Sequence, residues 1–286
     1  MPELPEVEIT ARRLDAALRG AVIESTLAPG LNALKTFDPP LHALDGRALT
    51  GVRRIGKHFV VDVAGDLSIL VHLMSAGRLQ LFDKRASLRD RTSRLLLRIA
   101  GDGERELRLR EFGTRQAAWV KVLHTADVEQ DDAIATLGPE AWPVPPADLR
   151  ARLAAAGARP LHSVLRDQRV IAGIGRSWVD EILWTAKLSP FKRGNDVSEQ
   201  DAAALSAAIV ACLGGAIEHY ERVVVLPIPD KLPLPLQVHR HQGEPCPRCA
   251  TTLEAVHYES YVMSYCPAEQ TDGKVLKDRR LSRLLK

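Results

Sequence analysis

The periodicity of this chain changes character at Leu137-Gly138-Pro139, and that change limits the fold more than any other feature. Before it, short segments alternate apolar and polar residues: Phe59-Val60-Val61-Asp62-Val63, Arg94-Leu95-Leu96-Leu97-Arg98-Ile99, Leu107-Arg108-Leu109-Arg110 and Ala117-Ala118-Trp119-Val120-Lys121-Val122. A period of two turns one face of each segment to a core and the other to water, so these read as strands of a sandwich. After it come Pro139, Pro143, Pro145 and Pro146, which interrupt regular structure. Alanine-rich stretches with helical spacing follow at 148–155, 161–187 and 199–220. Residues 222–237 carry Pro227, Pro229, Pro233 and Pro235 and read as a loop. The expected organisation is α+β: a β-rich domain over 1–138, a helical domain over 139–236, and a small cysteine-bearing appendix over 237–286.

The net charge is +3, but Lys274, Lys277, Arg279, Arg280, Arg283 and Lys286 crowd the last residues against Asp278 alone. Such a basic tail is a common electrostatic footprint for phosphates. No apolar run reads as a bilayer span and the N-terminus lacks a basic-then-apolar secretion layout, so a soluble, cytoplasmic protein is expected. Of four cysteines, Cys246, Cys249 and Cys266 cluster near the C-terminus and Cys212 stands apart, which favours a metal site over a disulfide framework. No phosphate-cradling loop or dinucleotide fingerprint follows a strand, so no nucleotide cofactor is expected.

The chemistry is concentrated at Met1-Pro2-Glu3-Leu4-Pro5-Glu6-Val7-Glu8. Removal of Met1 would leave a secondary amine beside a carboxylate. An α-amino group titrates at about 8, against about 10.4 for lysine, so a useful fraction of it is unprotonated and nucleophilic near neutral pH. Pro5 suits a first helical turn, Glu6 and Glu8 its positive end, and Val7, Ala11, Leu14 and Leu18 one apolar face, but helix formation gives no account of Pro2. A second constellation spans 167–183, where Gly173 and Gly175 precede an amphipathic helix and Arg176 adds charge, an arrangement suited to a phosphate.

Together these motifs resemble those of the formamidopyrimidine-DNA glycosylase and endonuclease VIII family. The opening Pro2-Glu3-Leu4-Pro5-Glu6-Val7-Glu8 matches the family's start, Arg54-Ile55-Gly56-Lys57 its lysine turn, Leu137-Gly138-Pro139-Glu140 its domain junction, 167–183 its helix-two-turn-helix, and Cys246-Pro247-Arg248-Cys249 its finger. The resemblance implies an N-terminal helix plus β-sandwich, a C-terminal helical domain with a helix-two-turn-helix, and a zinc-finger-like β-hairpin. It implies a bifunctional base-excision repair enzyme in which the Pro2 amine attacks C1′ of a damaged nucleotide and forms a Schiff base, Glu3 moves protons, and Lys57 holds a phosphate. The strand is then cut by β,δ-elimination. The implied partner is double-stranded DNA with oxidised bases or abasic sites, bound by a monomer. The rival reading is a non-catalytic protein that recognises distorted duplexes.

Several positions depart from the family pattern. Where a fourth cysteine would stand, Cys266-Pro267-Ala268-Glu269 supplies a carboxylate. Three arrangements remain open: Cys246, Cys249 and Cys266 with Glu269 around Zn²⁺, the same thiols with His241 or His257, or a finger without metal. The family's finger arginine is replaced by Tyr261, with Lys274, Arg279 and Arg280 as candidate substitutes, and Arg176 stands where an asparagine is usual. Of the residues that fill the gap left by a flipped base, Met74 and Phe112 are candidates, while Glu111 occupies the place of an arginine. These departures, with the proline-rich 226–236 stretch, point to a divergent branch rather than a strict 8-oxoguanine enzyme.

Overall fold

The computed structural model describes residues 2–30, 32–87, 89–113, 116–258 and 261–276. The chain divides into two compact units, Met1–Thr136 with Ile217–Pro233, and Leu137–Ala216 with Leu234–Lys286.

The first unit opens with helix α1 (Leu4–Leu18), whose face of Val7, Ala11, Leu14 and Leu18 is buried. Strands β1 (Ile23–Leu27), β2 (Leu49–Ile55), β3 (His58–Val63), β4 (Leu67–His72), β5 (Gly77–Phe82), β6 (Ser93–Ile99), β7 (Glu106–Glu111) and β8 (Trp119–His124) follow. They form two antiparallel sheets, ordered β1-β6-β7-β5 and β2-β3-β4-β8. One continuous core holds α1 residues with Phe59, Val61, Ile69, Val71, Leu79, Leu95, Leu97, Leu107, Leu109, Val120 and Val122. Alternate positions of each strand deliver this face to the core, but the other face of β3, β4 and β6 is also largely buried, where the alternation had pointed to water. α2 (Asp132–Ala135), capped by the Asp131 carboxylate accepting from Ala133 N–H, precedes the junction.

The second unit contains α3 (Leu149–Ala155), α4 (Leu161–Val164), α5 (Arg176–Thr185) and the long α6 (Glu199–Val223), whose last residues, Ile217–Val223, belong to the first unit. The stretch read as helical over 161–187 breaks into α4 and α5, because Asp167 and Gln168 fold the segment between them into turns. Gln168 Oε1 accepts from Gly173 N–H at 2.9 Å, and Gln168 Nε2 donates to the Ile174 and Arg166 carbonyls. Gly173 has φ +107°, a conformation that a side chain resists. Gly138 is needed for close approach, since a Cβ there would lie 2.6 Å from the Arg169 carbonyl. Hairpin strands β9 (Glu254–Tyr258) and β10 (Tyr261–Tyr265) lead to the single-turn α7 (Pro267–Gln270).

Against the expectation that no apolar run reads as a bilayer span, α6 is long and apolar enough to cross a bilayer by length and composition alone. Its alanine-rich, charge-poor middle satisfies that measure, while Leu205, Ile209, Leu213, Ile217 and Tyr220 are buried within the fold.

Candidate active site

Pro2 is half-buried directly ahead of α1, and Glu3 is the helix N-cap, only 2% exposed. The Glu3 N–H donates to Glu6 Oε2 at 2.8 Å, closing a capping box. The other oxygen of that carboxylate, Glu6 Oε1, accepts from the Tyr220 hydroxyl at 2.9 Å. Burial and the Glu6 and Glu3 charges drive the Tyr220 phenol upward, so it remains a donor. The start of the chain is thus fixed by a buried pair of carboxylates and a residue more than two hundred positions away. Tyr220 was not foreseen, because nothing local in its sequence marks it.

Lys57, 7% exposed, sits in the two-residue turn joining β2 to β3, where Ile55 pairs with His58 and Gly56 has φ +58°. Arg54 ties this turn to α1: its Nε donates to Glu8 Oε2 at 2.8 Å and its Nη1 to the Gly56 carbonyl at 3.0 Å. Burial works to raise the Glu8 carboxyl, but the hydrogen bonds from Arg54 and Arg12 outweigh it and hold Glu8 below the usual range. Glu8 and Arg54 therefore mechanically link the helix that carries Glu3 to the turn that carries Lys57. Beside the turn, the rings of His58 and His72 lie 4.5 Å apart. Burial depresses both, His58 to about 3 and His72 to about 4, the latter with help from the Lys57 charge, so both are neutral near pH 7.

Met74 and Phe112 are both half-buried and neither joins the apolar core of the sandwich. Met74 adopts φ +48°, and its N–H donates to His72 Nδ1 at 3.3 Å. Phe112 lies under the Arg110 guanidinium at 4.7 Å. Glu111, by contrast, is buried and turned inward, accepting from Ala117 N–H and Ala118 N–H. Its carboxylate holds the backbone at Ala117 and Ala118. The proline-rich stretch is anchored to the sheet, with Gln80 Nε2 donating to the Ile228 carbonyl at 2.6 Å and Arg78 Nε to the Asp230 carbonyl at 2.5 Å.

In the second unit Arg176 is the exposed first residue of α5, next to the Gly173 turn. Lys274 is exposed, while Arg279 and Arg280 lie outside the described residues. α5 also carries two adjacent buried carboxylates. Glu181 accepts from the backbone N–H groups of Gln237, Val238 and His239, and Asp180 from Ser264 N–H and His239 Nδ1, with His162 Nε2 at 3.2 Å. Burial lifts Asp180 to about 6 against the opposing pull of His162. These contacts stitch the hairpin and its approach to α5. The Asp180-Glu181 pair inside an otherwise apolar helix face is the signal that could have exposed them.

The ligand atoms of Cys246, Cys249, Cys266 and Glu269 lie within 4.8 Å of one another. Of the three arrangements left open, the structure gathers this set. His241 instead pairs with Glu244 at 2.8 Å, and His257 is exposed on β9. Cys246 opens a tight turn in which Ala250 N–H returns to its carbonyl, and α7 brings Glu269 round beside Cys266. Hydrogen bonding from Thr251 lowers the Cys249 thiol to about 7, whereas burial pushes Cys266 up to about 12. Arg248 pairs with Glu269 at 2.6 Å and stacks on Trp184 at 3.8 Å, with Lys187 3.7 Å from the other carboxylate oxygen. Three sulfurs and an oxygen at this spacing suit a tetrahedral cation, and the two nearby cations offset the charge that three thiolates and a carboxylate would accumulate.

Residues 1–117 match the formamidopyrimidine-DNA glycosylase N-terminal domain and residues 137–225 the H2TH domain of the same enzymes. The chain is 34% identical to the formamidopyrimidine-DNA glycosylase of Moorella thermoacetica, over 90% of this chain and 94% of that protein. The chain belongs to the formamidopyrimidine-DNA glycosylase family. That membership makes it a DNA glycosylase. An uncharacterized formamidopyrimidine-DNA glycosylase-like protein of Mycobacterium tuberculosis is 39% identical over 52% of this chain and 94% of its own length. Among solved structures, Lactococcus lactis Fpg in complex with DNA containing N7-benzyl-Fapy-dG superposes with a TM-score of 0.83 at 25% identity, covering 94% of this chain and all of that one. MutM in complex with DNA containing carbocyclic 8-oxo-G gives 0.83 at 26% identity, again over 94% of this chain.

Proposed function

We propose that this chain is a bifunctional DNA glycosylase and abasic-site lyase of base-excision repair, with Pro2 as nucleophile. The observation that carries the reading is the buried Glu3–Glu6–Tyr220 arrangement, which fixes the backbone beside Pro2 where a freely fraying chain end would otherwise be expected. After loss of Met1, the Pro2 nitrogen lone pair attacks C1′ of the damaged nucleotide as the bond to the base breaks. Glu3 delivers a proton to the sugar ring oxygen, the ring opens, and an iminium forms between Pro2 and C1′. Abstraction of a C2′ proton expels the 3′ phosphate, a second elimination expels the 5′ phosphate, and hydrolysis frees the amine. Lys57, steered by Arg54 and beside two neutral histidines, neutralises a phosphate next to the lesion, and Arg176 grips another.

Met74 and Phe112 fill the space vacated by the extruded nucleotide, Met74 positioned by His72. Glu111 faces the protein interior and makes no contact with an orphaned base in this scheme, so preference for a particular opposite base rests elsewhere. The finger holds one Zn²⁺ through Cys246, Cys249, Cys266 and Glu269. Bound there, the ion supplies no reaction chemistry but fixes the hairpin. Lys274, with Arg279 and Arg280, adds to the nucleic-acid footprint. The partner is double-stranded DNA carrying oxidised bases or abasic sites, which places the enzyme inside the cell.

Purified protein should nick a duplex containing one abasic site, leaving phosphates on both sides of the gap, and Pro2→Gly should weaken or abolish the cut. Binding without nicking would replace this reading with that of a damage-recognition protein.

A further inference from the structure

Arg166, two residues past the end of α4, plays no part in the scheme above. Its guanidinium lies 4.3 Å from the centroid of the Tyr261 ring, and that of Arg176 lies 5.2 Å from the same centroid. Both are inside the range over which a cation is held by an aromatic ring. The two arginines come from opposite ends of the turn that Gln168 staples, so the turn's shape brings two like charges to one side chain.

The ring is itself braced. Tyr258 stacks on it at 4.3 Å with planes 12° apart, and His162 at 5.7 Å with planes 14° apart. His162 is held by the buried Asp180, which also takes the Ser264 N–H of the same strand as Tyr261. Arg166 Nε donates to the His162 carbonyl at 3.1 Å, which fixes the guanidinium plane. Among the described residues Arg166 forms no ion pair, and an aromatic ring attracts a cation without neutralising it. Two guanidinium groups fixed on a rigid platform, one half-exposed and one exposed, are matched to an anion with several acceptor oxygens, for which planar forks are better suited than ammonium groups.

We propose that Arg166 and Arg176, positioned by Tyr261, form a two-guanidinium clamp for one backbone phosphate of the bound DNA strand. Tyr261, an uncharged residue in the hairpin, acts as the positioning residue that lets cations from the helix-two-turn-helix segment do the gripping. The inference rests on reading the chain as a DNA-binding glycosylase and adds residues to its grip.

The test is equilibrium binding of the full chain to a duplex with one tetrahydrofuran abasic analogue, measured across a salt series. Arg166→Gln should weaken binding about tenfold at moderate salt and make the slope of log affinity against log salt shallower by about one. Arg166→Lys should restore part of the loss. Tyr261→Phe, which keeps the ring, should bind as the parent does, whereas Tyr261→Ala should reproduce the Arg166→Gln slope. Unchanged affinity and slope in Arg166→Gln would overturn the clamp. So would a Tyr261→Ala defect with the parental slope, which would mark a merely structural role. Parental protein that binds but does not nick abasic DNA would defeat the lyase reading while leaving the clamp to be judged on binding alone.

Discussion

The two units of this molecule treat their motifs differently. In the first, Pro2, Glu3 and the Lys57 turn stand complete, and Glu6, Tyr220, Glu8 and Arg54 hold them in place. In the second, Tyr261, Glu269 and Arg176 occupy positions where the family pattern has other residues, yet each is built into a network of stacking and ion pairing. On the proposed function, the difference follows from what each unit must do. Bond-making needs one amine and one carboxylate at particular atoms, and neither can move without losing the reaction. Gripping phosphate or fixing a metal needs charge, donors and ligand atoms, which neighbouring side chains can supply from new positions.

The sharpest way to break this comparison is at Glu3. Glu3→Gln keeps size and a cap but removes the proton carrier, and single-turnover nicking should fall by about 10²–10⁴. A loss of only a few fold would show that the first unit tolerates substitution as the second does. Arg248→Ala removes the guanidinium that holds Glu269 and should lower zinc affinity by about 10–100-fold in a competition with a chelating dye. Unchanged affinity would mean Glu269 is held, or is needed, in some other way.

Tyr220→Phe sharpens the same comparison through stability. It leaves the buried Glu6 carboxylate short of a donor, at a cost of about 1–3 kcal/mol in denaturant unfolding. The smallest effect concerns pH. His58 and His72 are depressed in the folded chain, to about 3 and about 4, so the unfolded chain takes up protons first as pH falls. Stability should drop as pH falls from about 6.5 to about 4, with about 1–2 kcal/mol for His72 already lost by about pH 5, and His72→Gln should flatten that part of the curve.

Much of the sandwich could be read directly, because strands with one buried face alternate visibly, as Trp119-Val120-Lys121-Val122 does in β8. Periodicity alone hides the break between α4 and α5, since apolar residues keep helical spacing through 161–187; Gly173 and Gly175 mark it, and Gln168, a good helix former, spends its amide on closing the turn. At the site, Pro2 and Glu3 stood out because an N-terminal amine is chemically singular. Tyr220 and Arg166 did not, because their roles depend on partners that only folding brings near: Glu6 far along the chain for one, Tyr261 for the other. The finger fell between these cases, its thiols marked by spacing, while Glu269 joins them because of where α7 carries it.

The account depends above all on Pro2 as the nucleophile. Borohydride reduction of the parental protein with abasic-site DNA, followed by proteolysis and mass spectrometry of the adduct, reads that directly. Sugar mass on an N-terminal peptide that begins at Pro2 is the expected result. An adduct on Lys57 or another internal lysine, or an N-terminal peptide that still carries Met1 in the active protein, would contradict it.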